Sequence, residues 1–272
     1  MIDEYTFSKR ELLYQKLSKY LKFWVKQKMI VSFEGRFADF DSARKLCGGY
    51  EEQTIFEKVK NAAIAVKEGK ACYERDGYLF YEKEYYLQLL AILYEVYLKY
   101  GEVSVIDFGG GMGSTYFQNR DKIIDCLNII QWNVVEQKHF VDFGKRYIED
   151  KNLKFYYSIE EIERCNCAIF GSSLQYLENY AEYLKKIAGR KIPYLVIDRL
   201  PVSNETWVSI EYVHEPIYEA SYPLYIFSER DLISMLNDMG YTLSLSWRKD
   251  VGEVWQIEDK YIYFKSFVFK LQ

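Results

Sequence analysis

Apolar residues recur at helical spacing over residues 5–30, where Leu12, Leu13, Leu17, Tyr20, Leu21, Trp24 and Val25 carry the pattern. The period returns over residues 52–68 through Ile55, Val59, Ala62, Ala63 and Val66, with Gly69 as the stop. It returns again over residues 84–100, a Leu- and Tyr-rich stretch stopped by Gly101. Between these stretches Phe33-Glu34-Gly35-Arg36-Phe37 and Cys47-Gly48-Gly49-Tyr50 read as loops. The first hundred residues thus read as a helical extension, without a parallel strand.

From residue 103 the pattern changes to alternating strand and helix. Val103–Phe108, Gln131–Val135, Leu153–Tyr157, Ala168–Phe170 and Tyr194–Ile197 are short apolar runs that read as strands. Helical stretches fall between them, at about 114–127, 139–150 and 175–188. This βαβ rhythm predicts an α/β fold with a doubly wound, mostly parallel Rossmann-like sheet. A helix over Ser228–Met239 stops at Gly240, and two β-like runs follow, Tyr241–Trp247 and Tyr261–Lys270. They predict an antiparallel C-terminal edge to the sheet. The expected organisation is a helical cap over residues 1–100 and a Rossmann-like cofactor domain over residues 101–272.

Composition narrows the function classes. Of 272 residues, 49% are apolar, enough for a sizeable core. The net charge of -4 gives no pull toward nucleic acid or an anionic membrane. The basic stretch Lys9 to Lys28, with Lys16, Lys19, Lys22 and Lys26, reads as a solvated helix face. The five cysteines are odd in number and none is spaced CxxC, and there are only two histidines. Reduced, buried cysteines and no transition-metal site are expected, while a carboxylate-bound Mg²⁺ would leave little trace. The N-terminus has no basic, apolar leader pattern and the apolar runs are too short for a span. A soluble cytoplasmic protein is expected, and none of these features assigns an oligomeric state.

Chemistry enters at Ile106-Asp107-Phe108-Gly109-Gly110-Gly111-Met112-Gly113-Ser114-Thr115. A buried strand ends in an acid, turns through glycines and enters a helix. Glycines at 109, 111 and 113 give G-x-G-x-G, with Gly110 between them, and Ser114 stands where a dinucleotide fingerprint has Gly or Ala. An acid at Asp107 repels a pyrophosphate but suits the ammonium and sulfonium of S-adenosylmethionine (SAM). The turn therefore favours SAM over NAD, with other nucleotides or a purely structural turn as alternatives. Glu136 ends the second strand, beside Gln137, where a carboxylate can accept both ribose hydroxyls. It lies further along than the usual ~20 residues, so the first crossover is extended. Ser158 follows the third strand as a candidate adenine contact, or as a cap for a helix opened by Glu160 and Glu161. The fourth strand runs into Gly171-Ser172-Ser173-Leu174-Gln175-Tyr176, small polar residues at the carboxyl edge of the sheet. Ser172 and Ser173 are candidate cofactor contacts. Gln175 and Tyr176 are substrate candidates or an ordinary helix opening.

Over about 240 residues the chain resembles a family of SAM-dependent methyltransferases encoded in bacterial surface-polysaccharide gene clusters. The resemblance is carried by Glu34-Gly35-Arg36-Phe37, Gly49-Tyr50, Tyr73-Glu74-Arg75-Asp76 and Asp107-Phe108-Gly109-Gly110 with Gly113-Ser114. It continues through Tyr116-Phe117-Gln118-Asn119, Trp132-Asn133-Val134-Val135-Glu136-Gln137, Ser172-Ser173-Leu174-Gln175-Tyr176, Ile197-Asp198-Arg199, Ile217-Tyr218 and Ala220-Ser221-Tyr222-Pro223. It implies a Rossmann-type methyltransferase core with a helical N-terminal extension, and a sugar or nucleotide-sugar acceptor on a surface glycan. Asp107, Gly109, Gly111, Gly113 and Glu136 match the cofactor motifs of the wider superfamily. Leu200 departs from the pattern, where many relatives have a hydroxylated residue.

Methyl transfer to an alcohol needs alignment and a base. His214 and Asp198 are the candidate bases, His214 for its titration range and Asp198 for its place after the fifth strand. Arg199 is suited to an acceptor phosphate or carboxylate. Arg75 and Tyr222 stand in polar, aromatic segments suited to a lid over a sugar; the alternative for Arg75 is an ion pair with its acidic neighbours. A non-catalytic SAM-binding module is the alternative to an enzyme, and an NAD-linked enzyme is disfavoured by Asp107 and Ser114.

Overall fold

The computed structural model describes residues 31–48, 52–127, 131–214, 219–248 and 254–272. The helical period and basic face before residue 31, Gly49-Tyr50 and Ile217-Tyr218 lie outside them. In chain order the elements are β1 (Val31–Phe37), α1 (Phe40–Arg44), α2 (Glu52–Lys67), a hairpin of β2 (Tyr73–Arg75) and β3 (Tyr78–Phe80), and α3 (Leu87–Tyr100). Then come β4 (Ser104–Phe108), α4 (Ser114–Leu127), β5 (Gln131–Val135), α5 (Lys138–Phe143), β6 (Leu153–Tyr156), β7 (Cys167–Gly171), α6 (Tyr180–Gly189) and β8 (Tyr194–Ser203). The chain continues through β9 (Trp207–Val213), β10 (Ala220–Ser228), α7 (Glu229–Asp238), β11 (Tyr241–Trp247), β12 (Val254–Ile257) and β13 (Lys260–Leu271).

Strands β6, β5, β4, β7 and β8 lie side by side and parallel. Beyond β8 comes β13, antiparallel, and β11 pairs antiparallel with β13. This is the doubly wound, mostly parallel Rossmann-like sheet with an antiparallel edge that the pattern predicts. Successive residues of each central strand face opposite helix layers, which is why apolar residues stand on both faces. Val105, Trp132, Ile169 and Val196 pack with Leu89 and Leu93 of α3, Tyr116 of α4 and Ile55 and Val59 of α2. Ile106, Phe170 and Ile197 pack with Leu184 and Ile187 of α6 and Leu232 and Leu236 of α7. The expected helix over 139–150 is instead α5 followed by a π-helical turn over Gly144–Ile148. The one over 175–188 is a 3-10 turn, Leu174–Tyr176, and then α6.

The first hundred residues are not wholly helical. Phe33–Phe37, expected as a loop, belongs to β1, which pairs antiparallel with β9. Val31 and Phe33 alternate with polar Ser32 and Glu34, a period of two that Gly35 obscures. Phe33 is buried with Trp207, Leu224 and Ile226, so tertiary burial completes the strand. Strands β9 and β10 were not expected at all. They form an antiparallel pair, and β10 joins β8 in parallel at Phe227↔Val202 and Ser228↔Ser203.

Strand β8 therefore stands at a branch of one continuous sheet, with β7 along one side and β13 and β10 along the other. Expected to end at Ile197, it continues to Ser203. Its register with β13 runs Ile197↔Phe267 and then Leu200↔Lys265, so Asp198 and Arg199 together oppose Ser266. Two residues against one is a β-bulge, and Arg199 takes a left-handed φ of 52° to make it.

Candidate functional site

A cleft of about 1320 Å³ opens over the carboxyl ends of β4, β5, β7 and β8, the edge where doubly wound sheets place ligands. Its floor is the turn after β4. Gly109 has φ 71°, and a Cβ there would stand 2.6 Å from the Cβ of Ser173. A Cβ at Gly110 would meet the Asp107 carboxyl at 2.6 Å. Gly111, φ 57°, is different: a Cβ there would meet nothing within 4 Å, so its backbone faces open space. The turn is thus packed from below and bare above, the surface a close-lying ligand requires.

Two acids flank this turn. Asp107 is 1% exposed and its Oδ2 accepts from the Trp132 indole Nε1 at 2.9 Å. Burial pushes its carboxyl up to about 6; the Trp132 bond opposes that and nearby Glu136 adds to it. Glu136 accepts from the N–H of Gly111 at 3.3 Å through Oε1 and from the N–H of Gln137 at 2.8 Å through Oε2. Burial raises its carboxyl as well. Ser173 Oγ donates to the carbonyl of Phe108 at 2.6 Å, fastening the end of β7 to the end of β4. Ser172 takes φ 57° and donates its N–H to the carbonyl of Asp198 at 3.0 Å. Ser158 lines the cleft, as does Gln137, and stands at the N-cap of a 3-10 turn, Ile159–Glu161, without a side-chain capping bond.

The far wall comes from β8, β9, β10 and the β2–β3 hairpin. The bulge lets consecutive residues Asp198 and Arg199 both line the cleft, where a regular strand would turn them to opposite faces. Asp198 Oδ1 accepts from the Tyr86 hydroxyl and from Ser266 Oγ at 2.6 Å. The Arg199 guanidinium lies 5.7 Å over the ring of Phe264. Arg75 donates to Gln118 Oε1 at 2.8 Å and so is tied to α4 rather than to an acidic neighbour. Gln175 is 1% exposed, and its Oε1 has no hydrogen-bond partner among the described residues. Tyr176 and Tyr222 meet edge to face, centroids 5.2 Å apart.

Fifteen of the expected residues need no long transport across the molecule: Asp107, Gly109, Gly110, Gly111, Glu136, Gln137, Ser158, Ser172, Ser173, Arg75, Gln175, Tyr176, Asp198, Arg199 and Tyr222 all line this cleft. Two expected residues stand outside it. Gly113, φ 84°, packs against Leu153, where a Cβ would stand 3.0 Å from Cδ2; it serves the contact of α4 with the sheet. His214, expected as a base, lies at the far end of β9 with its side chain 39% exposed. Its ring nitrogens face Ser32 Oγ and Glu219 Oε2, each at 3.3 Å.

Two acids in the cleft wall, Glu74 and Asp76, flank Arg75 in the segment expected as a lid, and a third, Glu211, was not anticipated. Glu74 is 2% exposed and accepts from the Ser114 hydroxyl and, at 3.0 Å, from the N–H of Gly77; burial pushes it up to about 7 against those bonds. Asp76 sits in the hairpin turn at φ 51°, looking into the cleft, and surrounding protein raises its carboxyl while Arg75 and Arg199 oppose. Glu211, in the middle of β9, is 6% exposed and accepts from the Tyr176 hydroxyl at 2.6 Å through Oε2. Its sequence signal is an acid inside the alternating apolar run Trp207-Val208-Ser209-Ile210-Glu211-Tyr212-Val213. Among the described residues no group of three or more His, Cys, Asp or Glu is placed to hold a metal ion, and no helix is long and apolar enough to cross a membrane.

No family model and no curated sequence matches the chain. Solved structures do resemble it. One is a SAM-dependent methyltransferase from Clostridium acetobutylicum, 9% identical, covering 68% of this chain and 92% of its own at a TM-score of 0.43. Another is a SAM-bound amino pentose methyltransferase from Micromonospora echinaspora involved in calicheamicin biosynthesis, 8% identical over 70% of this chain and 92% of its own, TM-score 0.43. A third is the 1,6-didemethyltoxoflavin-N1-methyltransferase of Burkholderia thailandensis, 16% identical over 83% of this chain and 92% of its own, TM-score 0.42.

Proposed function

We propose that this protein is a SAM-dependent methyltransferase whose acceptor is a hydroxyl of a sugar or nucleotide-sugar destined for a surface glycan. The observation that carries the cofactor is the turn at Gly111: bare backbone facing the cleft, flanked by the carboxylates of Asp107 and Glu136. A pyrophosphate would meet two negative charges there, whereas a ligand with a cationic end and a ribose meets complementary groups at both. Gly109, Gly110 and Gly111 would form the backbone platform, Glu136 would take the ribose hydroxyls, and Ser172 and Ser173 would border the reacting end. Gln137 and Ser158 would stand by the adenine. SAM bound there supplies a methyl group already activated by its sulfonium. The chain's own work is then to align the acceptor, exclude water and receive a proton.

Support for a sugar comes from the opposite wall. Charged hydrogen-bonding groups, Arg75, Asp76, Asp198 and Arg199, alternate there with the rings of Tyr176 and Tyr222. Polyols are held by that mixture, acids and guanidinium groups on hydroxyls and rings on C–H faces. The hairpin of β2 and β3, with α2, closes the cleft from above as a cap.

Calorimetric titration with S-adenosylhomocysteine (SAH), with NAD as control, tests the cofactor. Micromolar binding of SAH alone, lost in Asp107→Asn or Glu136→Gln, is expected. A folded protein that ignores SAH would refute the reading.

A further inference from the structure

We propose that Glu211 is the proton acceptor for the reacting hydroxyl, and that Asp76, Tyr176 and Arg199 complete the place where that hydroxyl is held. The proposal rests on the methyltransferase reading and assigns a role that neither His214 nor Asp198 can fill as well. His214 lies outside the cleft, engaged with Ser32 and Glu219. Asp198 is bound into the bulge by Tyr86 and Ser266, so it braces β8 against α3 and β13.

Glu211 is held by one hydrogen bond where Asp198 is held by two. It lines the cleft, and only its Oε2 is engaged, by Tyr176; Oε1 takes no hydrogen bond among the described residues. The wall from cofactor turn to Glu211 is continuous: Gly109 abuts Ser173, Ser173 leads through Leu174 and Gln175 to Tyr176, and Tyr176 holds Glu211. Gln175, buried with its own Oε1 unpartnered beside this wall, marks a place where a donor from a ligand is wanted. The groups that face Glu211 are Tyr176 after β7, Asp76 in the hairpin turn and Arg199 on β8; Tyr222 on β10 and Phe33 on β1 are its cross-strand neighbours.

Burial pushes the Glu211 carboxyl up to about 7; Tyr176 and Arg199 pull it down, and Asp76 pushes it further up. A carboxylate with that affinity can take a proton at neutral pH and return it to solvent. In the transfer, the acceptor oxygen forms a bond to the methyl carbon and its O–H bond breaks. The proton passes to Oε1 of Glu211, and the electron pair of the carbon–sulfur bond stays with sulfur.

The test has two arms. In protein alone, the carboxyl resonances of ¹³C-labelled glutamate are followed against pH. The resonance absent from Glu211→Gln should titrate near neutrality, moving to higher pH in Tyr176→Phe and to lower pH in Asp76→Asn. In the second arm, transfer of tritiated methyl from SAM is measured to methyl glucoside, methyl mannoside, UDP-glucose, UDP-N-acetylglucosamine and GDP-mannose. With the best acceptor, Glu211→Gln should cut turnover by roughly 10²–10⁴-fold and abolish the rising limb of the pH profile, while SAH affinity is unchanged. The limb should shift in opposite directions in the Tyr176 and Asp76 variants. Turnover that survives Glu211→Gln, a limb that stays put, or no methylation of the whole panel by a protein that binds SAH would overturn the proposal. Failure to bind SAH would instead strike the cofactor reading.

Discussion

Glu74→Gln should make the protein more stable in alkaline solution and leave it nearly unchanged in acid. Glu74 is buried beneath the start of α4, its two oxygens engaged by Ser114 and Gly77. Its carboxyl ionises at about 7 in the fold against 4.5 in the unfolded chain. Each tenfold step in proton affinity is about 1.4 kcal/mol, so ionised Glu74 costs the folded state roughly 3 kcal/mol. The sign follows from proton counting. Below about 4.5 both states hold the proton and no penalty exists; as pH rises toward 7 only the folded state holds it, and stability falls; above 7 the full penalty stands. Glutamine has the same shape without the charge. Its oxygen can keep the Gly77 bond, and its amide can donate to a Ser114 hydroxyl turned to accept. Asp107 and Glu211 carry similar penalties, but they are common to both chains and cancel in the difference. Urea unfolding of the two chains at about pH 8.5 should show the variant ahead by about 1–3 kcal/mol, and at about pH 4.5 a gap under ~1 kcal/mol. A variant that is the weaker chain in alkali, or a gap independent of pH, would refute the reasoning.

Three further outcomes follow from the turn and from the residue after β9. Gly109→Ala forces a Cβ onto Ser173 at positive φ and should cost roughly 2 kcal/mol or more of stability along with SAH binding. Gly111→Ala, with open space around it, should cost only ~1 kcal/mol yet weaken SAH about tenfold or more by filling the cofactor's place; melting curves and calorimetry on both variants separate the effects. His214→Gln should leave SAH affinity and methyl transfer within roughly twofold of the parent, because the ring stands outside the cleft. A large loss would return His214 to the candidates.

The glycine-turn side of the cleft was legible because its signals are local. Strands β4 and β5 are apolar on both faces, and the acid–glycine turn and Glu136 punctuate them within a short span. The helices α2 and α3 announced themselves by their period and by Gly69 and Gly101. The opposite wall is built from distant pieces, and there the sequence said less. Tyr86 reaches Asp198 and Arg36 reaches Glu205 across more than a hundred residues. Strand β9 was not expected because both its faces are covered and no clean alternation marks it: Val208 and Ile210 lie under Phe40 and Ala43 of α1, while Trp207 faces Leu224 and Ile226. With β9 unread, Glu211 had no strand to sit on, and His214 was expected among substrate loops after the fifth strand. The bulge in β8 has no residue signature, since the residue at positive φ is an arginine where a glycine would have advertised it.

That arginine has a consequence for how the protein could be hardened. Holding a residue with a side chain in the left-handed region costs about 1 kcal/mol, and glycine would relieve it. In a library selected for heat resistance alone, glycine should displace arginine at position 199. The survivors would gain their degrees of melting temperature and lose the guanidinium that faces Asp76 and Glu211. At this one backbone position robustness and chemistry are set against each other, so a search for a tougher protein would have to look elsewhere in β8 to leave the cleft intact.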